Sequence, residues 1–241
     1  MKEAFDMAGV ATPKWEAIRD NNINAKDIIE KLGSPLIVKP AVSGGSLGVG
    51  VKNVVETELA LQTQLSRMFE GYRGWNLSTD GIVAESFIEG PEYTVMIVGS
   101  HTHPEYAKIY PPVERVFHAS LPEKEKFLSF DRLWEIYDEE TPMPEDENFY
   151  QYKLGDEAIQ LAVQKVSWEA YVACNGTGYT RVDVRIDKKT KEAYVLEVNA
   201  QCGLSEDENY TSIGAILRYA NQSFTELVIH IINDAFARRK K

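Results

Sequence analysis

"YTRVDVRIDKKTKEAYVLEVNA", Tyr179 to Ala200, decides the fold. Two alternating runs flank a polar turn, "DKKTKE". In the first run Val182, Val184 and Ile186 share one face, and Arg181, Asp183 and Arg185 share the other. In the second, strict alternation groups Tyr194, Leu196 and Val198 opposite Val195, Glu197 and Asn199. An antiparallel hairpin centred near residue 190 sets Asp183 across from Glu197 and Arg181 across from Asn199. Two carboxylates held opposite one another repel, and a bound cation removes the conflict. Two carboxylates and an amide oxygen are hard donors. With waters and phosphate oxygens completing the shell they suit Mg²⁺, with Mn²⁺ as a substitute, rather than Zn²⁺. The plain alternative is a solvated sheet face whose acids pair with Arg181 and Arg185. For one acid that reading is the better one; for this trio beside an arginine the metal reading is stronger.

A second informative stretch lies upstream. "PLIVKPAVSGGSLGVGVKNV", Pro35 to Val54, places apolar runs at 36–39 and 49–55 on either side of a Gly/Ser tract, longer than a tight hairpin needs. Glycine lets backbone N–H groups approach an anion closely, and Lys39 stands at the base of the tract. No Gly-Lys-Ser/Thr follows and the exit reads as a strand, which excludes a Walker loop and a dinucleotide fingerprint. A flap closing over a triphosphate fits. A hairpin loop without a ligand is the commoner use of such a tract.

Elsewhere, short helices are expected over 2–9 and 24–32 and a helix over 56–70. Strands are expected at 81–88 and 92–99, an amphipathic helix over 155–174, and a last helix over 223–238. Residues 111–152 are acidic, proline-bearing and poorly patterned, and read as a long excursion with little regular structure. At 241 residues the chain holds one or two domains, and 44% hydrophobic with 26% charged residues is ordinary for a globular protein. A net charge of -11 argues against nucleic acid as a partner. No apolar run approaches a membrane span, and "MKEAFDMAGV" lacks a signal-peptide core. Cys174 and Cys202 have no metal-ligand spacing and read as packing residues. A cytoplasmic protein is expected.

Lys39-Pro40, "SGGSLGVG", "AESFIEGPEYTV", "RVDVRID" and "LEVNAQCGL" occur in the order seen in ATP-grasp enzymes, and nearly the whole chain resembles D-alanine–D-alanine ligases. The resemblance implies an α+β ATP-grasp fold with two subdomains, 1–89 and 90–241, clasping ATP between antiparallel sheets, the larger one carrying the metal. It implies an ADP-forming carboxylate–amine ligase working through an acyl phosphate. Its substrates would be small amino acids or amines, with ATP and Mg²⁺, and a homodimer is compatible with it. By resemblance Lys39 contacts phosphate, and Ser46, Leu47 and Gly48 offer flap N–H groups. Glu85, Ser86 and Ile88 form the adenine hinge. Glu92 binds ribose, Leu196 floors the adenine, and Asp183, Glu197 and Asn199 hold metal. Arg181, Ser46 and Gly203 serve the reacting groups. Outside that motif Glu92 reads as a surface acid beside a turn.

The sequence departs from the family pattern at several points. The domain that supplies a substrate-side glutamate has no counterpart. Gly45 replaces the first flap serine, Ser86 the hinge lysine, and Arg185 an apolar adenine neighbour. "QCG" stands for "SPG". Glu208 aligns with the serine that receives the acceptor's carboxylate, which disfavours D-alanine as acceptor. Arg132 is the counterpart proposed for a further phosphate lysine. A non-catalytic ATP-binding module, or a truncated piece of such a ligase, therefore stays open beside the ligase.

Overall fold

Period-two alternation of Val and Ile builds two antiparallel sheets, and helices with one apolar face cover them. The computed structural model describes the chain apart from residues 135–139, 143, 145–146, 208–210 and 240–241. In chain order the elements are α1 (Lys2–Ala8), β1 (Trp15–Ile18), α2 (Ala25–Leu32), β2 (Leu36–Pro40), β3 (Val54–Val55), α3 (Glu58–Glu70) and β4 (Ile82–Ser86). There follow β5 (Glu92–Ser100), β6 (His103–Ile109), β7 (Val113–Phe117), α4 (Phe130–Leu133), β8 (Tyr150–Leu154), α5 (Glu157–Ala173), β9 (Thr177–Ile186), β10 (Ala193–Ala200), α6 (Ser212–Ala220) and α7 (Phe224–Arg239). They form two compact units. One holds Met1–Thr12, Glu89–His118 and Asn148–Lys241; the other holds Pro13–Ile88 and Ala119–Glu147.

The unit around Pro13–Ile88 contains a four-stranded sheet in the order β1-β4-β2-β3. Leu36 and Val38 of β2, and Ile82 and Ala84 of β4, point into a core with Ile28 and Leu32 of α2 and Leu61, Leu65 and Met68 of α3. The helices start where side chains satisfy exposed N–H groups: Asn24 accepts from Lys26 and Thr57 from Ala60. The expected strand at 49–55 is shorter than its pattern. Val51–Asn53 is a 3-10 turn, and only Val54–Val55 pairs with β2. The Gly50 N–H donates to Asn53 Oδ1 and so closes that turn.

The other unit is a six-stranded sheet ordered β10-β9-β5-β7-β8, with β6 also paired to β5. One face packs Tyr93, Val95, Ile97, Val182, Val184 and Ile186 against Val163, Val166, Ala170 and Tyr171 of α5. Each such buried aliphatic side chain contributes roughly 1.5–3 kcal/mol. The opposite face packs Met96, Val98 and Val113 against Ile213, Ile216 and Leu217 of α6. Along this same face the β5 and β9 residues change from apolar to charged.

The excursion at 111–152 is more ordered than its composition suggests. β7 and β8 pair from Val113↔Leu154 to Phe117↔Tyr150. Their outward charges match across the pair, as Lys153 with Glu114, which hides the alternation from a hydrophobicity reading. β1, β6 and α6 were likewise not visible in the pattern. Among the described residues no helix is long and apolar enough to cross a membrane.

Candidate functional site

The β9–β10 register is the one read from the sequence where it matters: Asp183 faces Glu197 and Arg181 faces Asn199. The route there is different. The register shifts between Val195 and Glu197, so Leu196 is an extra, bulged residue. Strict alternation would put Val195 with Glu197 and Asn199. The bulge instead sends Val195 into the core opposite Val184, while Glu197 pairs with Asp183 on the charged face. If Leu196 were instead paired in line, strict alternation would put Val195 and Glu197 on one face, and either Val195 would leave the core or Glu197 would enter it.

On the charged face Asp183 is buried. Arg181 Nη2 donates to its Oδ2 at 2.9 Å, and Arg181 Nε to its Oδ1 at 3.1 Å. The Asn199 amide nitrogen bridges Asp183 Oδ2 and Glu197 Oε1, each at 3.0 Å. Burial pushes the Asp183 carboxyl up, but the guanidiniums of Arg181 and Arg115 outweigh it and hold the group below the usual carboxylate range. The Asp183 charge in turn holds Arg181 up. Two carboxylates are thus kept close by donors on one side. With the Asn199 amide turned, so that its oxygen rather than its nitrogen faces the acids, the same three side chains offer three hard oxygen donors. That donor set fits Mg²⁺. Among the described residues no three His, Cys, Asp or Glu side chains gather as a metal cluster, so the amide is essential to this reading.

Glu92 is a correction to its reading as a surface acid. It is buried at the start of β5, flanked by Arg115 of β7 and Arg185 of β9 in direct register. Arg185 donates to Oε2 through Nη2 at 2.9 Å and Nε at 3.1 Å, and Arg115 Nη1 bonds Oε1. Arg115 also lies over the rings of Tyr150 and Tyr152. The charged alternation of β7 was the one signal that could have revealed Arg115. Leu196 is half-buried at the bulge, and Gly203 is exposed in the irregular segment after β10. Cys202 packs beneath α6, and burial pushes its thiol up to about 11. Glu208 lies outside the described residues.

The other group of expected residues lies in the unit around Pro13–Ile88. Lys39 and Glu85 are diagonal neighbours on β2 and β4, where Ile37 faces Glu85 and Lys39 faces Val83. The Lys39 ammonium meets Glu85 Oε1 at 3.0 Å, with Glu85 itself buried. Ser86 turns away from this pair: its hydroxyl donates to the Leu32 carbonyl at 2.6 Å and so closes the end of α2. Ile88 is half-buried just beyond β4. In the flap the Leu47 N–H donates to Gly44 O at 3.2 Å and the Val49 N–H to Ser46 O at 2.9 Å. Ser46 adopts a left-handed conformation, φ 61°. Gly48 is fixed by space as well as by φ, since a Cβ there would lie 2.8 Å from Leu77 Cδ2 and 2.9 Å from Pro40 Cγ. Arg132 is buried, with Nε to Glu140 at 2.7 Å, Nη2 to Glu125 at 3.0 Å and Nη1 to the Thr141 carbonyl at 3.3 Å. Its donors tie Glu125, Glu140 and Thr141 to α4.

Two antiparallel α+β sheets, one with a flap after Lys39 and the other with an Arg/Asp/Glu/Asn face, form the ATP-grasp fold. A D-alanine–D-alanine ligase structure from Bacillus anthracis, solved in complex with ATP, superposes with a TM-score of 0.70 at 24% identity, over 99% of this chain and 65% of that one. The VanG D-Ala:D-Ser ligase of Enterococcus faecalis superposes with a TM-score of 0.69 at 19% identity, over 96% and 59%. The family model described as D-ala D-ala ligase C-terminus matches residues 4–233, and the chain belongs to that family. A D-alanine–D-alanine ligase of Marinobacter nauticus is 28% identical over 239 residues, 98% of this chain. One from Polaromonas sp. is 27% identical over 228 residues, 93% of this chain. The chain spans 62% and 58% of the length of these two relatives.

Proposed function

We propose that the protein takes part in an ATP-dependent, ADP-forming carboxylate–amine ligase reaction of the D-alanine–D-alanine ligase type, on small amino acids or amines, in the cytoplasm. The observation that carries the reading is the Arg181–Asp183–Glu197–Asn199 group on one sheet face. Adenine binding alone needs none of these four. Asp183, Glu197 and Asn199 would hold Mg²⁺, which when bound supplies charge neutralisation to the phosphates. In the reaction a substrate carboxylate attacks the γ-phosphate and the bond to ADP breaks; an amine then attacks the acyl carbon and phosphate leaves. Arg181 offers a fixed cation to the oxygens that gain charge. Lys39 would exchange part of its contact with Glu85 for phosphate, and the flap from Ser46 to Gly48 would add main-chain N–H groups. On this reading Lys39, the flap and the hinge residues Glu85, Ser86 and Ile88 fall within 1–89, while Glu92, Leu196 and the metal-side residues fall within 90–241.

Two variants test it by calorimetry. Lys39→Ala should weaken ATP by roughly 1.5–3 kcal/mol, the worth of a charge-assisted contact, with little effect on adenosine. Glu197→Gln should remove the Mg²⁺ dependence of ATP binding; unchanged affinity and metal dependence would count against the site. A second reading, ATP binding without turnover, is favoured by one observation, that Gly45 stands where the family's flap has its first serine, so a hydroxyl near the substrate is missing. Phosphate release measured across a panel of amino acids and amines separates the two: binding without release for any pair selects the second.

A further inference from the structure

The β2–β3 ladder pairs at Leu36↔Val55 and Ile37↔Val54 and goes no further. One step on, the register sets Val38 against Asn53, where the backbone has entered the 3-10 turn. The Asn53 side chain continues the ladder in its place: Nδ2 donates to the Val38 carbonyl at 2.6 Å. The same nitrogen donates to the Gly48 carbonyl at 2.8 Å, and Oδ1 accepts from the Gly50 N–H at 2.9 Å. Asn53 is only 3% exposed. A single amide therefore ties the peptide that leads into Lys39 to the two glycines that end the flap. Val49, between those glycines, gives its carbonyl to the Phe130 N–H at 2.7 Å.

We propose that Asn53 is a positioning residue for phosphate binding, setting the place of the flap relative to Lys39. The inference rests on the reading above that Lys39 and the flap meet phosphate. No other neutral side chain of this size offers two donors and an acceptor at once. Asn53→Ala leaves three main-chain groups to find new partners and frees the end of a loop that has four glycines within seven residues, Gly44 to Gly50. Asn53→Asp keeps the acceptor for Gly50 but turns a carboxylate on two carbonyls. Adenosine carries no phosphate, so a misplaced flap costs it nothing.

The experiment is calorimetric titration of MgATP and of adenosine into the parent, Asn53→Ala and Asn53→Asp chains, each first checked for cooperative unfolding. The expected result is ATP weakened by about 10- to 50-fold in both variants, the worth of one or two main-chain hydrogen bonds, with adenosine changed by less than about two-fold. Equal loss for both ligands, or no loss for either, overturns the positioning role and leaves Asn53 a fold residue. A parent chain that binds adenosine but not ATP refutes the underlying phosphate reading instead. If neither variant folds, hydrogen exchange on the parent decides. The Gly50 amide should exchange at least about ten-fold more slowly than the Gly45 amide, and equal rates overturn the proposal.

Discussion

Replacing Glu92 by Gln should destabilise the six-stranded unit by about 3–5 kcal/mol, the cost of breaking a buried ion pair on one side. The size follows from what surrounds the carboxylate. Its side chain is 7% exposed, and those of Arg115 and Arg185 are 2% and 4% exposed. Each guanidinium–carboxylate contact, at ~4 Å between charge centres and an effective dielectric near 20, is worth about 4 kcal/mol gross. The amide keeps a dipole toward one arginine and avoids the desolvation of a carboxylate, which returns part of that sum. Two guanidiniums then face each other across a neutral group. Against a total stability of roughly 5–15 kcal/mol the loss is large. Urea unfolding, followed by hydrogen exchange at the β5 and β9 amides so that this unit alone is read, should show the midpoint falling by about 1–5 M for a slope near 1–3 kcal/mol per M. A Glu92→Gln, Arg185→Met double variant should recover part of the loss, since one stranded cation is gone. A surface acid beside a turn would cost under about 0.5 kcal/mol. A measured loss of that size, with no recovery in the double variant, would refute the view that Glu92 holds two buried charges in place.

Resemblance named Glu92 as a ribose acid, but its burial between two arginines was not legible in the sequence. It follows Gly90-Pro91, a turn signal, and burial of an acid can be inferred only if its partners are known. One partner, Arg115, sits in a proline-bearing acidic stretch where strand pattern is hidden by charges that cancel across β7 and β8. The hairpin from Thr177 to Ala200 was legible because valines alternate cleanly on β9, so the acid pair followed from register alone. The side of the sheet was not legible on β10, because one extra residue reverses the alternation and nothing in "YVLEV" marks which residue is extra. The flap was legible as a glycine tract after a lysine. Its organiser, Asn53, was not, since a buried asparagine in a turn leaves no periodic trace. The Lys39–Glu85 pair was likewise out of reach, as it depends on β2 lying next to β4, and those strands are separated by a helix in sequence.

The other expected outcomes concern a thiol, a helix cap and the bulge. Burial keeps the Cys202 thiol protonated, its pKa pushed up to about 11, so labelling by a thiol-disulfide reagent at pH 8 should be slow in the folded chain and fast after unfolding; rapid labelling of folded Cys202 would contradict its packing under α6. Glu226 accepts from the Ser223 N–H at 2.7 Å and hydroxyl at 2.9 Å, which lower its pKa in the fold. Its contribution is present above the unfolded carboxylate pKa and is lost as pH falls through the lower folded value, so acid unfolding of α7 should shift in Glu226→Gln, and identical acid profiles would show that the cap carries no linkage. The bulge gives the sharpest outcome, because deleting a strand residue normally reverses every side chain beyond it. Deleting Leu196 should not, since Val195↔Val184, Glu197↔Asp183, Val198↔Val182 and Asn199↔Arg181 already pair as if it were absent. The chain should lose roughly 1–2 kcal/mol for one half-buried leucine, unfold cooperatively, and keep Glu197 opposite Asp183. Adenosine should bind more weakly if Leu196 floors the base, while the Mg²⁺ dependence of ATP binding persists. A collapsed, non-cooperative product would show that β10 needs its extra residue to reach Asp183, and that the register argued for the acid pair is wrong.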